Sequence, residues 1–209
     1  GGADGEGGED DAAAAAAAAA TRARLLALLD GVPEGETSDE ADACIARLAA
    51  GREAAAAPAV LEDPRLFGLY EVCYTSKGAA QKGQPAGGRF TSKLGKRLFR
   101  PRGLFQHLYP AAENGGAGPE VVNAVAFALF GVLPGLVLLR GDLQPQEDDW
   151  ARVSFDPPLL QLGRLRVRLG PPTSVELQST FVDAELRLGK GSLGSLFAFR
   201  RLPAGSDAE

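Results

Sequence analysis

Val175 to Arg201 reads Val-Glu-Leu-Gln-Ser-Thr-Phe-Val-Asp-Ala-Glu-Leu-Arg-Leu-Gly-Lys-Gly-Ser-Leu-Gly-Ser-Leu-Phe-Ala-Phe-Arg-Arg, and this stretch decides the fold. Val175, Leu177, Ser179 and Phe181 alternate with Glu176, Gln178 and Thr180. A period of two marks a strand with one buried face. Val182 to Glu185 interrupts the pattern, Leu186-Arg-Leu188 resumes it, and Gly189-Lys-Gly191-Ser turns the chain again. Leu193 to Phe199 closes the unit as another short, aromatic-rich strand. The stretch therefore predicts consecutive antiparallel strands joined by tight turns.

Working outward, the same period recurs. Tyr70, Val72 and Tyr74 alternate with Glu71, Cys73 and Thr75, so the first strand begins near Leu66. Gly103 to Tyr109 reads as a second strand, ended by Pro110 and the Asn114-Gly-Gly-Ala-Gly loop. Val121, Asn123, Val125, Phe127 and Leu129 then alternate with alanines, and Leu136–Leu139 returns after the turn at Gly131–Gly135. The uncharged run Val121–Leu139 approaches the length of a membrane span. Its alternation and the Gly-Val-Leu-Pro-Gly break argue for a hairpin instead. Trp150 to Phe155 is a further strand, and Leu165, Val167 and Leu169 alternate with Arg164, Arg166 and Arg168. Those arginines should point outward or pair with carboxylates such as Glu176 across the Pro171-Pro172 turn.

The C-terminal stretch resembles the signature of the plastid lipid-associated proteins, or fibrillins (plastoglobulins): Tyr-Leu-Asp-Glu-x-Leu-Arg-Ile-x-Arg-Gly-x-x-Gly-Ser-x-Phe. Asp183, Leu186, Arg187, Gly191, Gly194, Ser195 and Phe197 match in register. Phe181 and Ala184 depart from it, losing a hydroxyl and a carboxylate. Leu66-Phe-Gly68-Leu-Tyr70-Glu-Val-Cys-Tyr74-Thr-Ser76 resembles a second segment of the same family, and the Gly-x-Trp opening of lipocalins with Tyr70 in place of Trp. The resemblance spans Leu66 to Arg201. It implies a plastid protein of plastoglobules or thylakoids, associated with prenylquinones, carotenoids and related lipids.

Gly189-x-Gly191-x-x-Gly194 also matches the phosphate-cradling glycine pattern in form. A dinucleotide site needs that pattern between a strand and a helix, and here a strand follows. Nucleotide binding is therefore not expected, and no cofactor is.

The net charge of −5 gives no global pull toward nucleic acid. Cys44 and Cys73 make no disulfide framework, and with His107 as the single histidine no metal site is expected. No nucleophile–base pair is visible, so the chain reads as a non-enzyme. Against the acidic background, the glycine-rich run from Lys77 to Arg102 is wholly basic: Lys77, Lys82, Arg89, Lys93, Lys96, Arg97, Arg100 and Arg102. It is a solvated loop or a patch that docks on anionic membrane head groups, with nucleic acid ranked last because no recognition motif accompanies it.

The organisation that follows has a low-complexity disordered tail over residues 1–20, N-terminal helices over 21–58, a barrel domain over 59–203 and a frayed tail over 204–209. The acid-rich opening without Met lacks transit-peptide character, so a targeting peptide is expected to be absent from this chain. Leu25, Leu26, Leu28 and Leu29 place a first helix, and Ser38 with Asp39, Glu40 and Asp42 caps a second. About eight strands spaced by turns define a mostly β fold, an antiparallel lipocalin-like up-and-down β-barrel with an N-terminal helical pair. If the barrel is hollow, parity lines its space with Tyr70, Val72, Tyr74, Val125, Phe127, Phe155, Val167, Leu177 and Phe197. The same residues would serve a packed core. Two readings stand. One is a lipid-associated protein that binds or coats apolar or isoprenoid lipids at a membrane or lipid-droplet surface. The other is a packed interaction module docking a plastid enzyme or photosynthetic complex.

Overall fold

The computed structural model describes residues 6–33, 36–76 and 99–203. They belong to two compact units, Gly1–Pro58 and Ala59–Glu209. In the first, α1 runs over Glu6–Gly31 and α2 over Asp39–Ala54. Helix α1 therefore includes residues expected in a disordered tail. The alanine run has the highest helix propensity of any residue type and carries the helix well past the leucines that mark it. Ser38 caps α2, its hydroxyl accepting from the Ala41 amide at 3.2 Å, with Asp39, Glu40 and Asp42 in the first turn. Arg24 of α1 meets Glu40 of α2 at 2.7 Å.

The second unit opens with two 3-10 turns, Val60–Glu62 and Pro64–Leu66. Ten strands follow. They are β1 Gly68–Thr75, β2 Phe99–Tyr109, β3 Glu120–Leu129, β4 Leu133–Pro145 and β5 Trp150–Phe155, then β6 Leu159–Leu162, β7 Leu165–Arg168, β8 Thr173–Val182, β9 Leu186–Gly191 and β10 Leu196–Arg201. All pairings are antiparallel, and the order β3-β2-β1-β10-β9-β8-β5-β4 returns to β3. The result is a closed eight-strand barrel.

Ten strands make eight staves because two staves are broken. Strand β4 pairs with β5 through Gly141↔Phe155 and then with β6 through Leu138↔Leu159, so β6 continues β5 beyond Asp156-Pro-Pro158. Strand β7 likewise leads into β8 across Gly170-Pro-Pro172. Proline has no amide to give the ladder, so each pair interrupts a stave without ending it. The uncharged run Val121–Leu139 is the β3–β4 hairpin, turned at Phe130-Gly131 with both residues at positive φ. The region Gly189–Gly194 runs from the last residues of β9 into the β9–β10 turn, with Gly194 at φ 85°.

Because opposed residues share a face, the registers sort the barrel's two surfaces. Tyr70, Gln106, Asn123 and Leu139 are in line across β1 to β4, and Val72, Phe199, Arg187 and Val182 across β1, β10, β9 and β8. Their apolar members form one buried cluster with Phe127, Val137, Phe155 and the 3-10 residues Val60 and Leu66. That cluster is the interior.

Candidate functional site

The interior has two unlike ends. At one, the 3-10 turns plug the barrel. Arg201 donates to the carbonyls of Phe67, at 3.0 Å, and Arg65, and to the Tyr70 hydroxyl at 2.5 Å. Its guanidinium lies 4.7 Å from the centroid of the Tyr70 ring, and Tyr70 in turn donates to Arg65 O at 2.5 Å. Gly68 is obligatory at this junction, because it sits at φ +137° and a Cβ there would strike the Arg201 guanidinium. The Leu61 amide is held by Asp149 Oδ1 at 3.0 Å from the β4–β5 turn.

Toward the other end Phe127, Val137 and Phe155 are buried, while Val72, Val125, Leu160, Val175, Leu177 and Phe197 are half-buried. Several rings also lie down on the wall. Phe127 covers Gly135 of the neighbouring strand, its ring occupying the space where a Cβ would stand; at Gly141 a Cβ would meet the Ser154 carbonyl and the Phe155 ring, and the Phe197 ring lies close over Gly191. A ring laid over a cross-strand glycine takes less of the lumen than one pointing at the axis.

Of the residues expected to line a cavity, Tyr70, Val72, Val125, Phe127, Phe155, Leu177 and Phe197 face inward. Tyr74 does not. A bulge at Cys73 shifts the register, so that Val72 opposes Phe199 but Tyr74 opposes Ala198 on the outer face. A second bulge at Thr180 turns Phe181 outward against Leu188 and brings Val182 in. Val167 is 38% exposed, on a β7 edge that pairs only with β6 among the described residues. The β7 arginines do not take Glu176. That carboxylate pairs with Arg152 at 2.8 Å, while Arg168 approaches Asp156 at 3.8 Å.

The signature residues fall around the β8–β9–β10 corner. Asp183 Oδ1 accepts from the amides of Glu185 and Leu186, at 2.7 Å each, which fixes the turn into β9. Leu186 is fully buried, Gly194 holds its turn, and Gly191 donates to Ser195 O at 2.8 Å. Arg187 turns into the barrel, 1% exposed, instead of pairing beside Asp183. It lies over Phe199 at 3.8 Å and Tyr70 at 4.8 Å, and donates to Gln106 Oε1. Its Nε has no partner. Burial pushes its pKa down to about 10, so it stays cationic at neutral pH. Gln106 passes the contact on, its Nε2 donating to Asn123 Oδ1 at 2.8 Å. Neither Gln106 nor Arg201 carries a signal of function in the sequence. Asn123 does, as a polar residue on the apolar side of an alternating strand.

His107 stacks on Tyr109 at 3.7 Å on the outer face, away from this cluster. Among the described residues, no group of His, Cys, Asp and Glu is placed to hold a metal ion. Of the basic run, Lys77, Lys82, Arg89, Lys93, Lys96 and Arg97 lie outside the described residues, as does the side chain of Arg100; Arg102 is exposed on β2.

A closed up-and-down barrel with a Gly-x-Tyr opening and an arginine stapling its plug defines a lipocalin-like class of protein. Within that class, the chain is 36% identical over 142 residues to the probable plastid-lipid-associated protein 8, chloroplastic, of Arabidopsis thaliana, covering 68% of this chain and 54% of that one. It belongs to the plastid-lipid-associated protein, or fibrillin, family. The chain spans about half the length of the curated relative it matches. No family model and no solved structure matches it.

Proposed function

We propose that this protein is a non-enzymatic, plastid lipid-associated protein whose barrel takes up the apolar body of a lipid or isoprenoid at a plastoglobule or thylakoid surface. One observation carries the reading: inward side chains of a closed barrel, Val72, Val125, Leu177 and Phe197 among them, keep accessible surface. A lumen lined by these side chains would be concave and largely apolar, as small-ligand sites are.

The end opposite the plug is where exposed apolar side chains gather. Phe130, Val132 and Leu133 project from the β3–β4 tip, Leu165, Val167 and Leu169 from β7, and Leu193 from the β9–β10 turn. Arg164, Arg166 and Arg168 alternate with the β7 group and are exposed. Ser76, which precedes the basic run, and Phe99 within it belong to this end as well. An apolar rim among cations suits an anionic lipid surface, where each basic residue contributes about 1 kcal/mol.

Native mass spectrometry of the protein purified from plastid membranes, with extraction of bound lipid, tests uptake. A Val125→Trp variant tests the space. Around a lumen the indole is accommodated, with melting unchanged and lipid occupancy reduced. In a packed core it destabilises by about 1–3 kcal/mol. That result, with an empty barrel, would leave the docking-module reading in its place.

A further inference from the structure

We propose that the barrel floor recognises an acceptor oxygen, the carbonyl or carboxylate at the end of an apolar chain, through Asn123 Nδ2, oriented by Gln106 and Arg187. The proposal rests on the lumen reading above and adds a head-group rule to it.

Donor and acceptor supply orients each amide. Arg187 has only donors, so the Gln106 group that meets it must be the oxygen, and the Gln106 amide nitrogen must face the other way. That nitrogen reaches Asn123, whose facing atom must then be its oxygen. Each amide is fixed by the one before it, and the chain ends on the Asn123 Nδ2 donors. Asn123 is half-buried and faces inward, in line with Gln106 and Leu139. Its Nδ2 has no protein partner among the described residues. The lumen thus ends on N–H groups.

Charge points the same way. Arg187 is sealed inside the barrel with no ion pair among the described residues and with its Nε unsatisfied. A second cation, Arg201, lies against the same Tyr70 ring. The Asp183 carboxylate is engaged by two backbone amides. An unpaired buried charge costs several kcal/mol, and hydrogen-bonded chains polarise in a medium of low dielectric. The field at Asn123 favours an electron-rich oxygen and disfavours a cation. A ligand would enter head first, leaving its tail among Val125, Leu177 and Phe197 and the exposed rim.

Displacement of Nile red from the intact protein, with palmitate, the matched methyl ketone, the matched alkane and the matched alkylammonium as competitors, is the test. The ketone and carboxylate should bind at least about tenfold more tightly than the alkane, equivalent to about 1.4 kcal/mol, with the ammonium weakest. Carboxylate above ketone shows that the Arg187 charge is felt; equality shows that the hydrogen bond alone selects. Asn123→Asp keeps an oxygen for Gln106 and turns a second one to the lumen. Its preference should invert, the ammonium gaining and the carboxylate losing at least about tenfold. Should that variant fail to melt cooperatively, Asn123→Leu replaces it, and all four competitors should then bind alike. If the alkane matches palmitate on the wild type, the head-group rule falls while the lumen stands. If no competitor displaces the dye, both fall. An Asn123→Asp protein that still prefers carboxylate overturns the proposal outright.

Discussion

At the scale of the residue, position within the barrel outweighs residue type. Arg187 and Arg201 are both cations over the Tyr70 ring, yet one staples the plug to the wall and the other stands in the interior. The signature made Arg187 legible as important. Its direction was not, because only the registers place the arginine opposite Phe199, inside the barrel. Cys73 shows the same dependence. As the extra residue of a bulge, it uses its thiol to donate to Ala198 O at 3.3 Å, and burial pushes its pKa up from 9.0 to about 11. The folded state thus holds the thiol neutral where the unfolded chain would ionise. Its contribution is whole below about pH 9 and is lost as pH rises through about 11. Two pKa units correspond to about 2–3 kcal/mol at most. Chemical denaturation of wild type and Cys73→Val across that window should show a steeper loss for wild type. Parallel curves would mean that the thiol is not held neutral by the fold.

At the scale of the element, the alternation located most of the staves and mistook some faces. Strands β1, β3, β8, β9 and β10 lie where the two-residue period puts them, within a few residues. Strand β6 was illegible, because Leu159-Leu-Gln-Leu162 has no alternation and follows two prolines. The bulges at Cys73 and Thr180 were illegible too. A bulge adds one residue to one strand, and only pairing with the partner reveals it. Each costs one step of parity, enough to move Tyr74 and Phe181 to the outside. The glycine–aromatic pairs are another such cross-strand device. Gly135→Ala puts a methyl where the Phe127 ring lies and should destabilise by about 1–3 kcal/mol. Phe127→Leu added to it should recover part of that loss. A double-mutant cycle measures the coupling, and simple additivity would show that the ring does not need the glycine.

At the scale of the whole barrel, closure divides the labour between its ends: polar staples and 3-10 turns shut one, and apolar side chains with arginines rim the other. The closed topology was readable, since a meander with both terminal strands identified has only to pair β1 with β10. The difference between the ends was not, because exposed leucines in β7 look like any alternating strand until their inward partners are seen to be few. If the rim meets lipid, its cations give the first attraction and its apolar tip the hold. Reversing Arg164, Arg166 and Arg168 to Glu should weaken binding to anionic vesicles by at least about a hundredfold, from about 1 kcal/mol for each charge removed. Wild-type binding should fall steeply with added salt, as screening shortens below about 10 Å. Phe130→Ser with Val132→Ser should weaken the salt-resistant remainder and leave the slope unchanged, since no charge is altered. Sedimentation with anionic and with zwitterionic vesicles reads all three quantities. Equal binding to both kinds of vesicle, or an unaffected triple-Glu variant, would take this end of the barrel out of contact with lipid.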